Sequence, residues 1–140
     1  MVTFPAITSM VPWYLGFDLD GVILHPSSQR PITGAVDVLN GLFDSGHRII
    51  IATARPWILW WTIEPLLNHY GIPRHALYKV GSLGDTVRRK AAVLRLEKAA
   101  VYVDNKRTTI FRLQREFQIP SILFTSWQDI AVMFGLSEEW

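Results

Sequence analysis

Two aspartates one residue apart, Asp18 and Asp20, are the side chains of this 140-residue chain best placed to do chemistry. They lie in the stretch WYLGFDLDGVIL, residues 13–24, where an apolar run ends in the two carboxylates and a glycine follows them. Because side chains alternate on a strand, both carboxylates start on the same face and could share one small cation. Such close acids raise each other's pKa unless a cation neutralises them, and Mg²⁺ prefers oxygen ligands. The same residues are also typical of a solvated turn.

The elements that must position these aspartates are predicted from hydrophobic periodicity. Residues 13–17 are apolar enough for a strand that is buried on both faces, and Gly21 lets the chain leave that strand through backbone angles closed to other residues. Strands and helices then alternate, with helices predicted over 35–43, 57–70, 86–97, 108–117 and 127–134, and strands ending near 53, 80, 103 and 124. This alternation predicts an α/β, three-layer Rossmann-like fold with a mainly parallel sheet of about five strands.

The helix predicted over 57–70 carries two unusual features. Pro65 lies inside it and should kink or divide it. Trp57, Trp60 and Trp61 recur at i, i+3 and i+4, a spacing that favours packing against the core. If one of these rings were instead exposed near the site, it could stack on a nucleobase.

Composition limits the classes of protein to consider. With 49% apolar residues, the chain suits one domain over residues 1–140, with a core of about 12–135. It contains no cysteine, so disulfides, thiolate chemistry and cysteine zinc sites are excluded. No apolar run approaches the roughly 20 residues that span a bilayer, and the first residues do not resemble a signal peptide. We therefore expect a soluble, cytoplasmic protein with no membrane partner.

Positive charge is concentrated in the second half of the chain. Residues 88–115 hold nine Lys or Arg against two acids, although the whole chain has a formal net charge of only +2. Such a segment could attract a polyanion such as nucleic acid. It is equally typical of the solvated faces of two amphipathic helices.

Polar residues stand at the ends of three predicted strands. Asp18 and Asp20 follow the first, Thr53 ends the second, and Asp104 with Asn105 ends a later one. Lys90 opens a helix 14 residues before Asp104. Ligands of open parallel sheets bind beyond the carboxyl ends of the strands, so these ends should form one site.

This ordered set resembles the haloacid dehalogenase superfamily, whose four motifs follow each other in the same order. The first motif matches FDLDGV at 17–22, and the second matches IIIAT at 49–53. The third is a lysine, here Lys90, and the fourth matches VYVDN at 101–105. The resemblance covers nearly the whole chain, from residue 13 to about 125, and implies a phosphatase.

The resemblance implies a role for each catalytic residue. Asp18 would be the nucleophile that forms an aspartyl-phosphate, and Asp20 would protonate the leaving oxygen and then deprotonate the hydrolytic water. Thr53 and Lys90 would hold the phosphoryl oxygens. These roles agree with what phosphoryl transfer needs, namely a nucleophile, a proton carrier and positive charge around the phosphate.

The resemblance also implies a Mg²⁺ site formed by Asp18, the backbone carbonyl of Asp20 and the fourth motif. Asn105 departs from the commonest pattern, because many relatives have a second acid there. A similar Asp-Asn pair occurs in the small phosphatases that act on the carboxyl-terminal domain of RNA polymerase. We therefore expect Asn105 to be a ligand, and Asp104 to be either a ligand or a support behind the ligands.

The intervals between the motifs leave no room for a cap domain, since only 32 residues separate Asp20 from Thr53. An open site could admit the end of a macromolecule. The run that begins TARPW also resembles the phosphatase domain of phage-type polynucleotide kinases, although no kinase P-loop is present. That similarity implies phosphate binding by Arg30 and Arg55. The residues next to the motifs, Gly21 and Ala54, complete the predicted substrate-binding set.

The leading hypothesis is a Mg²⁺-dependent phosphomonoesterase that acts on a nucleotide or on a terminal phosphate of a nucleic acid. A phosphoprotein phosphatase is an alternative, suggested by the Asp-Asn pair. A phosphate-binding module with little turnover is another, suggested by the charge lost at Asn105. The sequence leaves the oligomeric state open.

Overall fold

The computed structural model describes residues 12–136, in which five strands pair into one parallel sheet. The order across the sheet is β3-β2-β1-β4-β5. The strands are β1 Tyr14–Phe17, β2 Arg48–Thr53, β3 Ala76–Lys79, β4 Val101–Asp104 and β5 Ser121–Leu123. The predicted sheet is confirmed, and the pairing is parallel throughout. Residues 1–11, which precede the predicted core, lie outside the described residues.

Helices cover both faces of the sheet. They are α1 Ala35–Asp44, α2 Trp60–His69, α3 Thr86–Leu96, α4 Arg107–Phe117 and α5 Trp127–Met133. One buried cluster joins α1, α2 and α5 to the sheet, and a second joins α3 and α4 to the opposite face. The predicted three-layer arrangement is therefore confirmed, and no cap interrupts the elements between residues 12 and 136. Within this range no helix combines the length and apolarity needed to cross a membrane.

The central strands form because their side chains are apolar on both faces. Ile49, Ile50 and Ile51 of β2 are completely buried, and so are Leu15 and Phe17 of β1. Branched and aromatic side chains favour the extended backbone, and a strand covered by helices on both sides needs a continuous apolar run. The carboxyl ends of these buried strands are then the places where polar side chains can reach solvent.

The segment before α2 differs from the prediction. A short 3-10 turn, Trp57–Leu59, precedes α2, and the helix then continues through Pro65. The division thus falls between Leu59 and Trp60 rather than at the proline. Pro65 removes one backbone donor, whereas the buried Ile63 and Leu67 keep the helix against the core.

The tryptophans of this segment also differ from the prediction. Trp57 and Trp61 are 69% and 76% exposed, so core packing is wrong for both. Trp60 is half-buried against the first cluster. The periodicity is misleading because Trp57 lies in the 3-10 turn, and because Ile63 and Leu67 already supply the buried side of α2.

The chain changes direction across the sheet at β1. It proceeds from β1 to β2 and β3 on one side, and then returns to place β4 and β5 on the other. A crevice opens at such a switch point, outside the carboxyl ends of β1 and β4. Phe17 is paired with Val103, and the Asp18 amide donates to the Val103 carbonyl at 2.9 Å, so Asp18 and Asp104 leave the sheet side by side.

Trp127 of α5 supports the turn that follows β1. Its ring lies 5.4 Å from the ring of Phe17 and 5.6 Å from that of Phe124, measured between centroids. Its indole N–H donates to the Val22 carbonyl at 2.7 Å. A buried donor and acceptor that pair in this way hold the turn after Asp20 at a fixed height above the sheet.

Replacement of Trp127 by Phe should destabilise the fold, because it leaves the Val22 carbonyl without its donor and removes part of a buried ring. We expect the free energy of unfolding to fall by about 1–3 kcal/mol in urea titrations. Val132→Ala on the same helix is the control, because Val132 is 65% exposed and its loss should change stability by less than about 0.5 kcal/mol. Equal effects of the two substitutions would contradict this role of Trp127.

Candidate active site

A cleft of about 920 Å³ opens at the carboxyl ends of β1, β2 and β4. Its wall contains most of the predicted site residues, which come from separate parts of the chain: Asp18, Asp20, Thr53, Ala54, Arg55, Lys90 and Asn105. Gly21, Arg30 and Asp104 were predicted for the site but are not among the residues that line the cleft. Arg30 is exposed, and its phosphate-binding role stays a prediction.

Lys90 links the carboxyl end of β1 to that of β4. Its ammonium Nζ lies 3.0 Å from Asp18 Oδ1 and 3.2 Å from Asp104 Oδ2, and only 5% of the residue is exposed. Tyr102 adds a hydroxyl that donates to Asp104 Oδ2 at 2.9 Å. With both carboxylates ionised, this buried cluster holds two negative charges and one positive charge. It therefore carries an excess negative charge that a bound cation would compensate.

Burial and neighbouring charge shift the pKa values in this cluster. Burial raises the pKa of the Asp18 carboxyl from 3.8 to about 7, with the Lys90 ammonium opposing the rise and Asp104 adding to it. Burial by itself would lower the pKa of Lys90, but the two carboxylates hold it above its ordinary value. Burial, together with the two carboxylates, raises the pKa of Tyr102 well above 10, so its hydroxyl remains a donor. Without a cation, Asp18 is therefore only partly ionised near neutral pH.

Helix α3 delivers Lys90 to this position. Asp85 is the N-cap of the helix, and its carboxylate accepts from the Arg88 amide at 3.1 Å. The same carboxylate accepts two hydrogen bonds from Arg112 of α4, at 2.9 and 3.0 Å. The cap fixes where the helix starts, and the bidentate pair fixes it against α4. Val87, Ala91 and Leu94 pack on the sheet and turn Lys90 towards the strand ends.

Asp20 has a different partner from Asp18. Arg55 holds its carboxylate with two hydrogen bonds, from Nε at 2.9 Å and from Nη2 at 2.8 Å. Arg55 also donates to the side-chain oxygen of Gln29 and to Thr62 Oγ1, and its backbone amide donates to Thr53 Oγ1. The Asp20 side chain remains 32% exposed, whereas that of Arg55 is only 5% exposed. The two aspartates of the first motif therefore face two different cations.

The fourth motif divides its two residues between the interior and the cleft. Asp104 is completely buried and accepts from Lys90, from Tyr102 and from the backbone amide of Lys106. Asn105 is exposed and lines the cleft. Its amide lies against Gly21, where a Cβ would come within 2.1 Å of Asn105 Nδ2 and where φ is +84°. Gly21 therefore serves the close approach of Asn105 and does not line the cleft itself.

The oxygen atoms at this end of the cleft suit a hard divalent cation. Within residues 12–136 there is no group of three or more His, Cys, Asp or Glu side chains arranged to hold a metal. The available donors are instead a mixed set, namely the Asp18 carboxylate, the Asn105 amide oxygen and the nearby backbone. Mg²⁺ commonly takes one or two carboxylates and fills its remaining positions with water and substrate oxygens. The residues present fit this pattern, and the excess negative charge of the buried cluster favours it.

Several residues of the cleft were missed by the sequence analysis. Gln29 contacts Arg55, although the adjacent Arg30 was predicted. Trp61, Thr62 and Lys106 also line the cleft. The group of tryptophans that follows the second motif is the sequence signal that points to Trp61. Nothing in the local sequence distinguishes Gln29 from the other polar residues of its loop.

The basic segment over 88–115 is largely occupied with internal contacts. Arg89 donates to backbone carbonyls of the loop after β3, Arg95 to the Phe117 carbonyl, and Arg112 to Asp85 and Glu116. Lys90 is buried in the site. Lys106 remains as a cation at the cleft, and its side chain makes no hydrogen bond or ion pair with another described residue.

Comparisons with known proteins found similarity at the level of structure. No family model matches the chain, and no curated protein matches it either. A chain in the structure of the Pnkp1/Rnl/Hen1 RNA repair complex superposes with a TM-score of 0.67 at 19% identity, over 88% of this chain and 45% of that one. A second Pnkp1/Rnl/Hen1 structure gives a TM-score of 0.64 at 18% identity, over 83% of this chain and 47% of the other.

The core domain of a putative phosphoglycolate phosphatase from Streptococcus pneumoniae TIGR4 is also similar. It superposes with a TM-score of 0.60 at 20% identity, over 91% of this chain and 98% of that domain. The chain thus spans less than half the length of the RNA repair chains and nearly all of this core domain. Identities this low establish the fold. The fold that the motif resemblance implied is therefore confirmed.

Proposed function

We propose that this protein is a Mg²⁺-dependent phosphomonoesterase that works through an aspartyl-phosphate on Asp18. The observation that carries the proposal is the convergence of Asp18, Thr53, Lys90 and Asn105 on one cleft from four separate segments. Each residue matches one of the four motifs whose resemblance implies phosphoryl transfer. The fold similarity to a phosphatase core domain supports the same reaction class.

The proposed reaction has two steps. In the first, a carboxylate oxygen of Asp18 attacks phosphorus, the ester P–O bond breaks, and Asp20 gives its proton to the leaving oxygen. In the second, Asp20 takes a proton from water, the water oxygen attacks phosphorus, and the bond between Asp18 and phosphorus breaks to release phosphate. The alcohol and inorganic phosphate are the products, and both aspartates return to their starting states.

Lys90 has two functions in this proposal. Its hydrogen bond to Asp18 Oδ1 holds the nucleophile in one orientation and favours the ionised carboxylate. Its positive charge also lies where charge builds up on the phosphoryl oxygens. Asp104 and Tyr102 in turn hold Lys90 in place from behind, which is why a fully buried carboxylate is tolerated there.

A magnesium ion would be held by Asp18, Asn105 and the backbone carbonyl of Asp20. When bound, it would supply positive charge that lowers the pKa of Asp18 and screens the nucleophile from the anionic substrate. The excess negative charge of the Asp18, Lys90 and Asp104 cluster supports this assignment.

Arg55 has to exchange partners for Asp20 to carry a proton. In the structure both oxygens of Asp20 accept hydrogen bonds from Arg55. A phosphate in the cleft would compete for the same guanidinium fork, which suits a dianionic phosphate as well as a carboxylate. Binding of the substrate would thus free Asp20 to take a proton from solvent, which it then gives to the leaving oxygen.

A nucleotide or the terminal phosphate of a nucleic acid is the substrate class that we propose. The cleft is open, and the described chain has no cap to close it over a small molecule. Two of the similar structures are chains of an RNA repair complex. A substrate panel should therefore set mononucleotides and 3′- or 5′-phosphorylated oligonucleotides beside phosphoglycolate and phosphopeptides, and faster turnover of a phosphopeptide would contradict the proposed class.

Asp18→Asn should abolish turnover, because an amide cannot displace the alcohol from phosphorus. We expect kcat to fall by roughly 10³-fold or more in Mg²⁺ with a mononucleotide substrate. Retention of full activity by this variant would refute the covalent mechanism. Phosphate binding by the wild type without any turnover would instead favour the phosphate-binding module.

The same substitution should stabilise the metal-free protein, because it removes one of two buried carboxylates that share a single ammonium. At pH 8 in EDTA we expect the free energy of unfolding of Asp18→Asn to exceed that of the wild type by roughly 1–3 kcal/mol. Addition of Mg²⁺ should raise the melting temperature of the wild type and have less effect on the variant. A less stable variant with no differential Mg²⁺ response would exclude this account of the charge cluster.

Arg55 and Arg30 form a matched pair for the phosphate-binding role. Arg55→Lys keeps the charge but loses the bidentate fork, so kcat/KM should fall about tenfold to a hundredfold. Arg30→Lys should have little effect, because Arg30 is exposed and outside the cleft wall. Circular dichroism of both variants checks that the fold is retained. A larger loss with Arg30 would assign phosphate binding to the loop after the first motif instead.

A further inference from the structure

The cleft is larger and more apolar than a phosphate group requires. Its lining includes the charged side chains of Asp18, Asp20, Arg55 and Lys90. It also includes six apolar side chains, namely Pro26, Pro56, Leu59, Trp61, Pro65 and Leu66. A cleft of about 920 Å³ falls in the range of pockets that bind whole organic ligands. The apolar lining is therefore available to the group that is attached to the phosphate.

Trp61 is the aromatic side chain of that apolar lining, and no other aromatic residue among 12–136 lines the cleft. It is 76% exposed, although tryptophan side chains are on average highly buried. Trp57, four residues earlier, is 69% exposed but does not line the cleft. The two rings thus offer similar exposed surface in different places, and only one of them faces the site.

The two sequence neighbours of Trp61 contact Arg55 through their side chains. The indole N–H of Trp60 donates to the Arg55 carbonyl at 2.9 Å, and Thr62 Oγ1 accepts from Arg55 Nη1 at 3.1 Å. Arg55 in turn donates to both oxygens of Asp20. The part of the chain that carries Trp61 is therefore fixed relative to Arg55 and Asp20, as a specificity residue requires.

We infer that Trp61 is the platform on which the base of a nucleotide substrate stacks while its phosphate lies beside Asp18. This inference rests on the proposed phosphatase reaction and adds a recognition residue to it. A nucleobase offers the flat ring system that stacks on an indole, and such stacking tolerates every base. Lys106, at the rim of the same cleft, supplies a positive charge for a further phosphate when the substrate is a nucleic-acid end.

The test compares Trp61→Ala with Trp57→Ala on two substrates that differ only by the base, adenosine 5′-monophosphate and ribose 5-phosphate. The readout is the ratio of their kcat/KM values in Mg²⁺. Trp61→Ala should lower this ratio about 5- to 30-fold, the usual loss for one stacked base. Trp57→Ala should keep the wild-type ratio. An unchanged ratio in Trp61→Ala, or an equal loss in both variants, would overturn the inference.

Binding is measured separately from catalysis by NMR. The indole N–H resonance of Trp61, assigned by its absence in Trp61→Ala, should shift on titration with adenosine 5′-monophosphate and much less with ribose 5-phosphate. If this shift occurs but no phosphate ester is hydrolysed, the stacking inference stands and the proposed reaction fails. If esters are hydrolysed but the resonance does not respond to the base, the reaction stands and the inference fails.

A phosphotyrosine substrate tests whether Trp61 stacks specifically on nucleobases or on any aromatic ring. With a phosphotyrosine peptide as substrate, Trp61→Ala should reduce kcat/KM less than it does with adenosine 5′-monophosphate. An equal or larger loss with the peptide would overturn the assignment to nucleotides and indicate a phosphotyrosine substrate instead.

Discussion

The buried ion pairs of Lys90 are the interaction on which the rest of the site depends. Lys90 belongs to a helix on one face of the sheet, while Asp18 and Asp104 end two neighbouring strands at the switch point. Removing three charged groups from water is costly, so the arrangement persists only because each group finds a partner of opposite charge. The ion pairs also hold α3 close to the carboxyl ends of β1 and β4. The helix thereby forms one side of the cleft.

The charges of this cluster lower the stability of the fold but suit the proposed function. Two buried carboxylates share one ammonium, and burial raises the pKa of Asp18 to about 7. A fold selected for stability alone would carry a neutral residue at this position. This unequal number of negative and positive charges is expected at a site where a cation and an anionic substrate complete the charge balance. Ionisable groups with shifted pKa values are common at functional sites.

On the other side of the cleft, the segment that follows the second motif also holds side chains of separate segments together. Thr53 ends β2, and two residues later Arg55 turns back to hold Asp20, Gln29 and Thr62. Through Thr62 and Trp60, this one guanidinium-bearing residue also sets the start of α2. Asp20 and the segment that carries Trp61 are therefore connected through Arg55 rather than positioned independently.

The sequence by itself determined the order of the elements, the parallel sheet and the residues at the ends of its strands. These follow from local chemistry, because apolar runs, stop signals and the alternation of side chains depend on near neighbours along the chain. Asp18, Thr53, Lys90 and Asn105 could be singled out for the cleft because their order along the chain also resembles the four motifs. Only the tertiary structure decided that Asp104 lies inside and Asn105 outside, and that Gln29 rather than Arg30 meets Arg55. It also decided that Trp57 and Trp61 are exposed. Each of these outcomes depends on which distant segment occupies the neighbouring space, and 72 positions along the chain separate Lys90 from Asp18.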